Sequence, residues 1–167
     1  MPKILHKNRL FTVEELNLGK GKDKYKFYAV KKPSEVVILP FISKKEILIE
    51  HQYRPVIKAH LQELPAGLIN KNEKPETAAR RELEEETGYK AKNMKLMIAS
   101  YVSPGFLTTV TYFYLATGLY KGKVSLDEHE KLTVKRVSYE KALKFASTRK
   151  IADQKTIFAL LYYKSMV

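Results

Sequence analysis

Three glutamates do most to limit what this chain can be. From Gly67 to Tyr89 it reads Gly-Leu-Ile-Asn-Lys-Asn-Glu-Lys-Pro-Glu-Thr-Ala-Ala-Arg-Arg-Glu-Leu-Glu-Glu-Glu-Thr-Gly-Tyr. Within it Glu82, Glu85 and Glu86 stand at i, i+3 and i+4, so on a helix they share one face. Like charges placed this way repel and weaken a helix. Carboxylates crowded onto one patch are also what a hard divalent cation such as Mg²⁺ requires, because it takes oxygen ligands. The flanking residues agree with a helix. Pro75 suits the first turn, where its missing N–H costs little, and Gly88 suits the left-handed residue just past the end. Ala78, Ala79 and Leu83 offer a small apolar face on the other side. Arg81 lies four residues before Glu85 and can hold that carboxylate. The segment reads as loop, helix and loop with an acidic, metal-binding face.

These residues resemble the Nudix box, G-x5-E-x7-R-E-U-x-E-E-x-G-U with U a bulky apolar residue. Gly67, Glu73, Arg81, Glu82, Leu83, Glu85, Glu86 and Gly88 fall in register, and Tyr89 departs in being aromatic. A solvated acidic helix would explain a run of glutamates but not eight matching residues at fixed spacing. Outside the box, Gln52-Tyr53-Arg54-Pro55, Glu63-Leu64-Pro65-Ala66-Gly67 and Ser103-Pro104-Gly105-Phe106 look like the ADP-ribose pyrophosphatase branch of the family. Asp127-Glu128-His129-Glu130 is similar to that branch's acidic loop, and 150–156 to its final-helix entry. Lys32-Pro33-Ser34-Glu35 departs from the His-Pro-Gly-Ala of many relatives.

The resemblance implies an α/β fold, the Nudix α/β/α sandwich with a mixed sheet and N-terminal antiparallel strands. It implies Mg²⁺-dependent hydrolysis of a nucleoside diphosphate sugar, ADP-ribose first, with Mn²⁺ as a substitute and two or more ions per site. Metal ligands would be Glu82 and Glu86, joined by Glu85 and the carbonyl of Ala66. Glu73 would orient Arg81, and Glu128 would be the base for water, with Glu130 a second base or an outer metal contact. Arg54 would fork a phosphate, or else bridge to Glu50 or Glu63; Glu63 would meet the nucleoside or brace Arg54. Ser103, Pro104, Gly105 and Phe106 would meet the distal ribose, or form a strand-ending turn. Relatives in this branch are strand-exchanged homodimers. Residues 1–34 are accordingly expected to form a dimerisation and nucleoside-site segment, with the hydrolase domain at 35–167.

Composition bounds the alternatives. At 167 residues, 44% of them hydrophobic, the chain can bury a core. No run of 18 apolar residues and no apolar leader is present, so neither a membrane span nor a signal peptide is expected. The absence of cysteine excludes disulfides and thiolate metal sites and fits a cytoplasmic protein. The net charge of +13 suits an anionic substrate, but a lysine-rich solvated surface explains most of it. No arginine-rich helix or aromatic-interleaved basic stripe marks a nucleic-acid groove. The four histidines lack ligand spacing. Two other classes remain: a non-catalytic Nudix-fold binding module, which should have lost box acids, and a Nudix enzyme for a GDP-sugar, a dinucleoside polyphosphate or an RNA 5′ end.

Periodicity predicts strands at 3–17, 25–32, 36–42, 46–51, 94–102, 108–120 and 132–137. The pair 36–42 and 46–51 reads as a hairpin across a polar turn at 43–45. A short helix should start near Tyr139, and a last one near Asp153 as N-cap, with Ile157, Leu160 and Leu161 facing inward.

Overall fold

An unbroken apolar run such as Val36-Val37-Ile38-Leu39 suits a strand covered on both faces. In the computed structural model, which describes residues 2–126, 131–148 and 151–167, it is the strand Glu35–Pro40, buried throughout. This is β4 of a chain that runs β1 (Lys3–Lys7), β2 (Thr12–Leu18), β3 (Tyr25–Lys31), β4, β5 (Glu46–Arg54), β6 (Ala59–Glu63) and β7 (Ala66–Leu68). It continues through α1 (Pro75–Thr87), β8 (Tyr89–Tyr101), β9 (Val110–Lys121), β10 (Leu132–Ser138), α2 (Tyr139–Ser147) and α3 (Gln154–Met166).

Side chains alternate across a strand, so β4 serves two cores at once. Val36 and Ile38 pack with Ala78, Ala79 and Leu83 of α1. Val37 and Leu39 pack with α2 and α3 through Leu143, Ala159 and Leu160. The result is the expected α/β/α sandwich. Its central sheet has the order β7-β4-β9-β8, and a second sheet has the order β10-β5-β6. The β4–β9 pair is parallel and β4–β7 is antiparallel, so the sheet is mixed. Residues before β4 form a separate antiparallel sheet, β1-β2-β3. It joins the rest at Val30, whose N–H donates to the Phe106 carbonyl at 2.7 Å and whose carbonyl accepts from Thr108 at 3.2 Å. Among the described residues no helix is long and apolar enough to cross a membrane.

Three expectations need correction. Residues 36–42 and 46–51 do not pair as a hairpin; only the bridge Phe41–Ile47 links them. Both strands are apolar on both faces, and each takes an inner position, β4 between β7 and β9, β5 between β10 and β6. The stretch 3–17 is broken at Asn8, whose Oδ1 accepts from the N–H groups of Leu10 and Phe11 at 2.8 and 2.9 Å. That side chain supplies turn bonds where a ladder would otherwise run. Finally, Leu161 is exposed, because the inner face of α3 follows Thr156, Ala159, Leu160 and Tyr163. One residue on from Leu160 is a rotation of about 100° away from the core. Asp153 does cap α3, accepting from the Thr156 N–H at 2.8 Å.

Glu35 is a buried, ion-paired carboxylate where β4, β9 and α3 meet. Its Oε1 accepts from the Thr111 hydroxyl at 2.9 Å, and Oε2 faces Lys32 and Lys155 at 3.4 and 3.5 Å. Burial opposes its ionisation, but Lys155, Lys32 and Thr111 outweigh it and hold the carboxyl below its ordinary 4.5. A depressed carboxyl contributes stability above its unfolded pKa and loses it as pH falls through the folded value. Glu35→Gln should therefore cost about 1–3 kcal/mol at neutral pH. The gap from wild type in thermal unfolding should close as the pH falls below 4.5.

Candidate active site

The helix α1 is held by its apolar face, and that decides where its acids point. Pro75 opens it from Lys74, which makes no side-chain cap. Gly88 ends it at φ 69°, donating its N–H to the Glu84 carbonyl at 2.8 Å. With Ala78, Ala79 and Leu83 fully buried, the flank carrying Arg81, Glu82, Glu85 and Glu86 turns toward β7 and the loop after it. Here Gly67 has a clear purpose. A Cβ built on it would lie 2.0 Å from Glu82 Oε1, so only glycine lets the strand approach the carboxylate this closely.

Arg81 organises the acids. Its Nε and Nη2 each donate to Glu73, at 3.0 Å to Oε1 and Oε2. Its Nη1 donates to Glu82 Oε1 at 2.8 Å and Glu85 Oε2 at 2.9 Å. Nη2 also reaches the Leu68 carbonyl at 3.0 Å. Such charge-assisted forks fix direction as well as charge. Glu73 additionally accepts from the Asn70 N–H at 2.9 Å. The Arg81 contact keeps the Glu73 carboxyl below its ordinary value, against the opposing effect of burial. Glu73 thus holds Arg81 from the loop.

Glu86 is 4% exposed and accepts the Ala66 N–H at 2.9 Å. Ala66 thus meets the helix through its amide. Nearby, Arg54 settles between its two candidate partners. Its Nε and Nη2 donate to both oxygens of Glu63 at 2.7 and 2.6 Å. The hydrogen bonds to Glu63 raise the guanidinium pKa against the cost of burial, helped by the charges of Glu63, Asp153 and Glu86. Arg54 therefore lies in the field of Glu86. Glu50, opposite Glu63 in the β5–β6 register, is 1% exposed.

The other candidates fall elsewhere. Ser103, Pro104, Gly105 and Phe106 form the turn from β8 to β9, with Phe106 and Leu107 N–H groups both donating to the Ser103 carbonyl. Through Phe106 the turn is tied to β3 of the N-terminal sheet. Asp127, Glu128, His129 and Glu130 lie outside the described residues. The segment before them is pinned to α1 and its C-cap: Gly122 N–H to Gly88 O at 2.9 Å, Lys123 N–H to Glu84 Oε1 at 3.2 Å, and Ser125 N–H to Glu85 O at 2.9 Å. After them, Leu132 pairs with Gln52 on the Arg54 strand.

Sequence reasoning missed two supports. The Leu68 carbonyl under Arg81 carries no side-chain signal. Thr156 was visible only as a resemblance in 150–156, yet its hydroxyl accepts from the Leu64 N–H at 2.8 Å.

Comparison with known proteins agrees with this architecture. The NUDIX domain model matches residues 31–161. The ADP-ribose pyrophosphatase of Bacillus subtilis (strain 168) is 40% identical over 152 residues, spanning 90% of this chain and 82% of the relative. The methanol dehydrogenase activator of Bacillus methanolicus is 34% identical over the same coverage, 90% and 82%. A GDP-mannose pyrophosphatase of Salmonella choleraesuis (strain SC-B67) is 29% identical, covering 77% of this chain and 72% of its own. A crystal structure described as an ADP compounds hydrolase superposes with a TM-score of 0.81 at 23% identity, covering 99% of this chain and 93% of that one. At that identity the likeness speaks for the fold. The site belongs to an enzyme that hydrolyses phosphoanhydrides. The chain is a member of the Nudix hydrolase family.

Members of this family generally use divalent cations, and the residues here fit one by donor chemistry. Glu82, Glu85 and Glu86 bring hard carboxylate oxygens to one flank, and the clearance at Gly67 leaves Glu82 room beside the strand. Among the described residues no three carboxylates or imidazoles converge as a ready cage; Arg81 Nη1 sits between Glu82 and Glu85 instead.

Gly67→Ala tests this clearance. The clash falls on the end of a flexible side chain, so the variant should fold with little change in melting temperature. Displacing Glu82 by about 1 Å should cost on the order of 10²-fold in turnover. Wild-type turnover in a folded Gly67→Ala protein would show that the close approach is unimportant.

Proposed function

We propose that this protein hydrolyses the pyrophosphate bond of ADP-ribose, giving AMP and ribose 5-phosphate. The observation that carries the reading is the Arg81-ordered acid flank of α1 standing within the electrostatic reach of the Arg54–Glu63 fork. One set can hold cations and the other a phosphate. The 40% identity to an ADP-ribose pyrophosphatase supports the substrate.

Bound Mg²⁺, for which Mn²⁺ can substitute, would neutralise the phosphoryl oxygens and ready a water for attack. Glu82 and Glu86 would hold it, with Glu85 and the Ala66 carbonyl completing the set. The Ala66 amide already fixes the direction of Glu86. Arg54 uses Nε and Nη2 on Glu63, which leaves Nη1 for a phosphate oxygen. Glu63, nearly buried, keeps that guanidinium in one orientation. Glu128 would take the proton of the water as its oxygen bonds to phosphorus, with Glu130 as a second base. The bridging oxygen leaves with the electron pair. Pro104, Gly105 and Phe106 would meet the distal ribose from the turn beside β3.

Residues 1–34 would form the dimerisation segment of a homodimer, with exchanged N-terminal strands contributing to the nucleoside site. Ile4, Leu5, Phe27 and Tyr28 are exposed in the single chain, which supports a partner for that sheet. A chain without cysteine suits the cytoplasm.

Glu86→Gln and Glu82→Gln keep shape and remove charge. Each should lower kcat by about 10²–10³-fold while the fold is retained. Glu128→Gln should lower kcat and kcat/KM together, by about 10²–10⁴-fold as for a general base. A large loss at Glu130→Gln with little at Glu128→Gln would move the base to Glu130. For the substrate, kcat/KM should be highest for ADP-ribose in a panel with GDP-mannose, a dinucleoside polyphosphate, a nucleoside triphosphate and a capped RNA. Preference for GDP-mannose would replace the substrate and keep the enzyme class.

A further inference from the structure

Thr156 is fully buried in the first turn of α3, where a hydroxyl needs a reason. Capping is not that reason. Asp153 already caps the helix by accepting the Thr156 N–H at 2.8 Å. The same carboxylate oxygen also accepts the Thr156 hydroxyl at 2.7 Å. With its one proton committed to Asp153, the hydroxyl can only accept on its other side. What it accepts there is the N–H of Leu64 at 2.8 Å, across 92 residues of chain.

Leu64 lies between the two halves of the site. The residue before it is Glu63, which grips Arg54. Two residues after it comes Ala66, whose amide directs Glu86. The Pro65 carbonyl between them is held by Ile38 N–H of β4 at 2.9 Å. Proline has no N–H to donate, so Leu64 offers the amide by which this segment can be fixed from the α3 side. Leu64 itself is 2% exposed, and a buried amide that loses its partner makes its segment move to find another.

On the functional reading above, we propose that Thr156, oriented by Asp153, is a positioning residue that sets the Glu63–Ala66 segment and so aligns the phosphate fork with the metal-binding acids. Valine has the shape of threonine without the hydroxyl. Serine keeps the hydroxyl and loses a methyl.

The experiment compares Thr156→Val, Thr156→Ser and the core control Leu143→Ala in three readouts: Mn²⁺ affinity by paramagnetic resonance, kcat and KM for ADP-ribose, and melting temperature. Thr156→Val should weaken Mn²⁺ binding and lower kcat/KM by about 10–10²-fold, the scale of a 1 Å misplacement. Thr156→Ser should restore both to near wild type. Leu143→Ala should lower the melting temperature and leave Mn²⁺ affinity unchanged. A folded Thr156→Val protein with wild-type Mn²⁺ affinity and kcat/KM overturns the proposal. So does a Thr156→Ser protein as impaired as Thr156→Val. If valine prevents folding, hydrogen exchange in the wild type decides: the Leu64 amide should be among the protected ones, and rapid exchange there overturns the proposal. A wild-type chain that leaves ADP-ribose intact defeats the functional reading alone, because the Mn²⁺ comparison still tests the positioning role.

Discussion

Everything at the site depends on how one guanidinium is shared. α1 carries Glu82, Glu85 and Glu86 on one flank, an arrangement that repels itself. Arg81 offsets it from within the same helix by donating to Glu82 and Glu85. Its other edge clasps Glu73 and the Leu68 carbonyl, so the loop before the helix is tied to the acids it must serve. Five donors in a rigid fork can do this; a lysine point charge cannot. Glu82 and Glu85 are each held in one direction by the guanidinium that stands between them.

That arrangement is useful only because β4 serves both layers. Its even-numbered apolar residues anchor α1, and its odd-numbered ones anchor α2 and α3. The acid flank and the α3 N-terminus are thereby referenced to a single buried strand. The short segment Glu63 to Ala66 crosses between them, bonded to Ile38 on one side and Thr156 on the other. The fork on Arg54 and the amide on Glu86 are its two outputs.

The residues of α1 were legible because everything that defines them is local. A helical repeat puts three acids on one face wherever the helix sits, and Pro75 and Gly88 mark its ends chemically. The strand at β4 was legible for a similar reason, its unbroken local run of apolar residues. Sheet partition was not: two adjacent apolar strands joined by a polar turn look like a hairpin, and only competition for inner positions sends β4 and β5 to different sheets. Nor could sequence choose between Glu50 and Glu63 for Arg54. Both are carboxylates on the β5–β6 pair and stand directly opposite one another; only the side-chain geometry, with Arg54 forked onto Glu63, separates them. The Thr156–Leu64 bond spans 92 residues, a distance over which no short-range pattern carries information. β6 and β7, of 5 and 3 residues, were too short for periodicity to register.

The central claim is that a phosphoanhydride is cleaved by water at the acid flank of α1. Phosphorus NMR of ADP-ribose turnover in ¹⁸O-labelled water, with Mg²⁺ present, tests it most directly. The account predicts two phosphomonoester signals, AMP and ribose 5-phosphate, with ¹⁸O entering one of them and no turnover once a chelator is added. Unchanged ADP-ribose, products free of ¹⁸O, or undiminished turnover in the presence of chelator would contradict it.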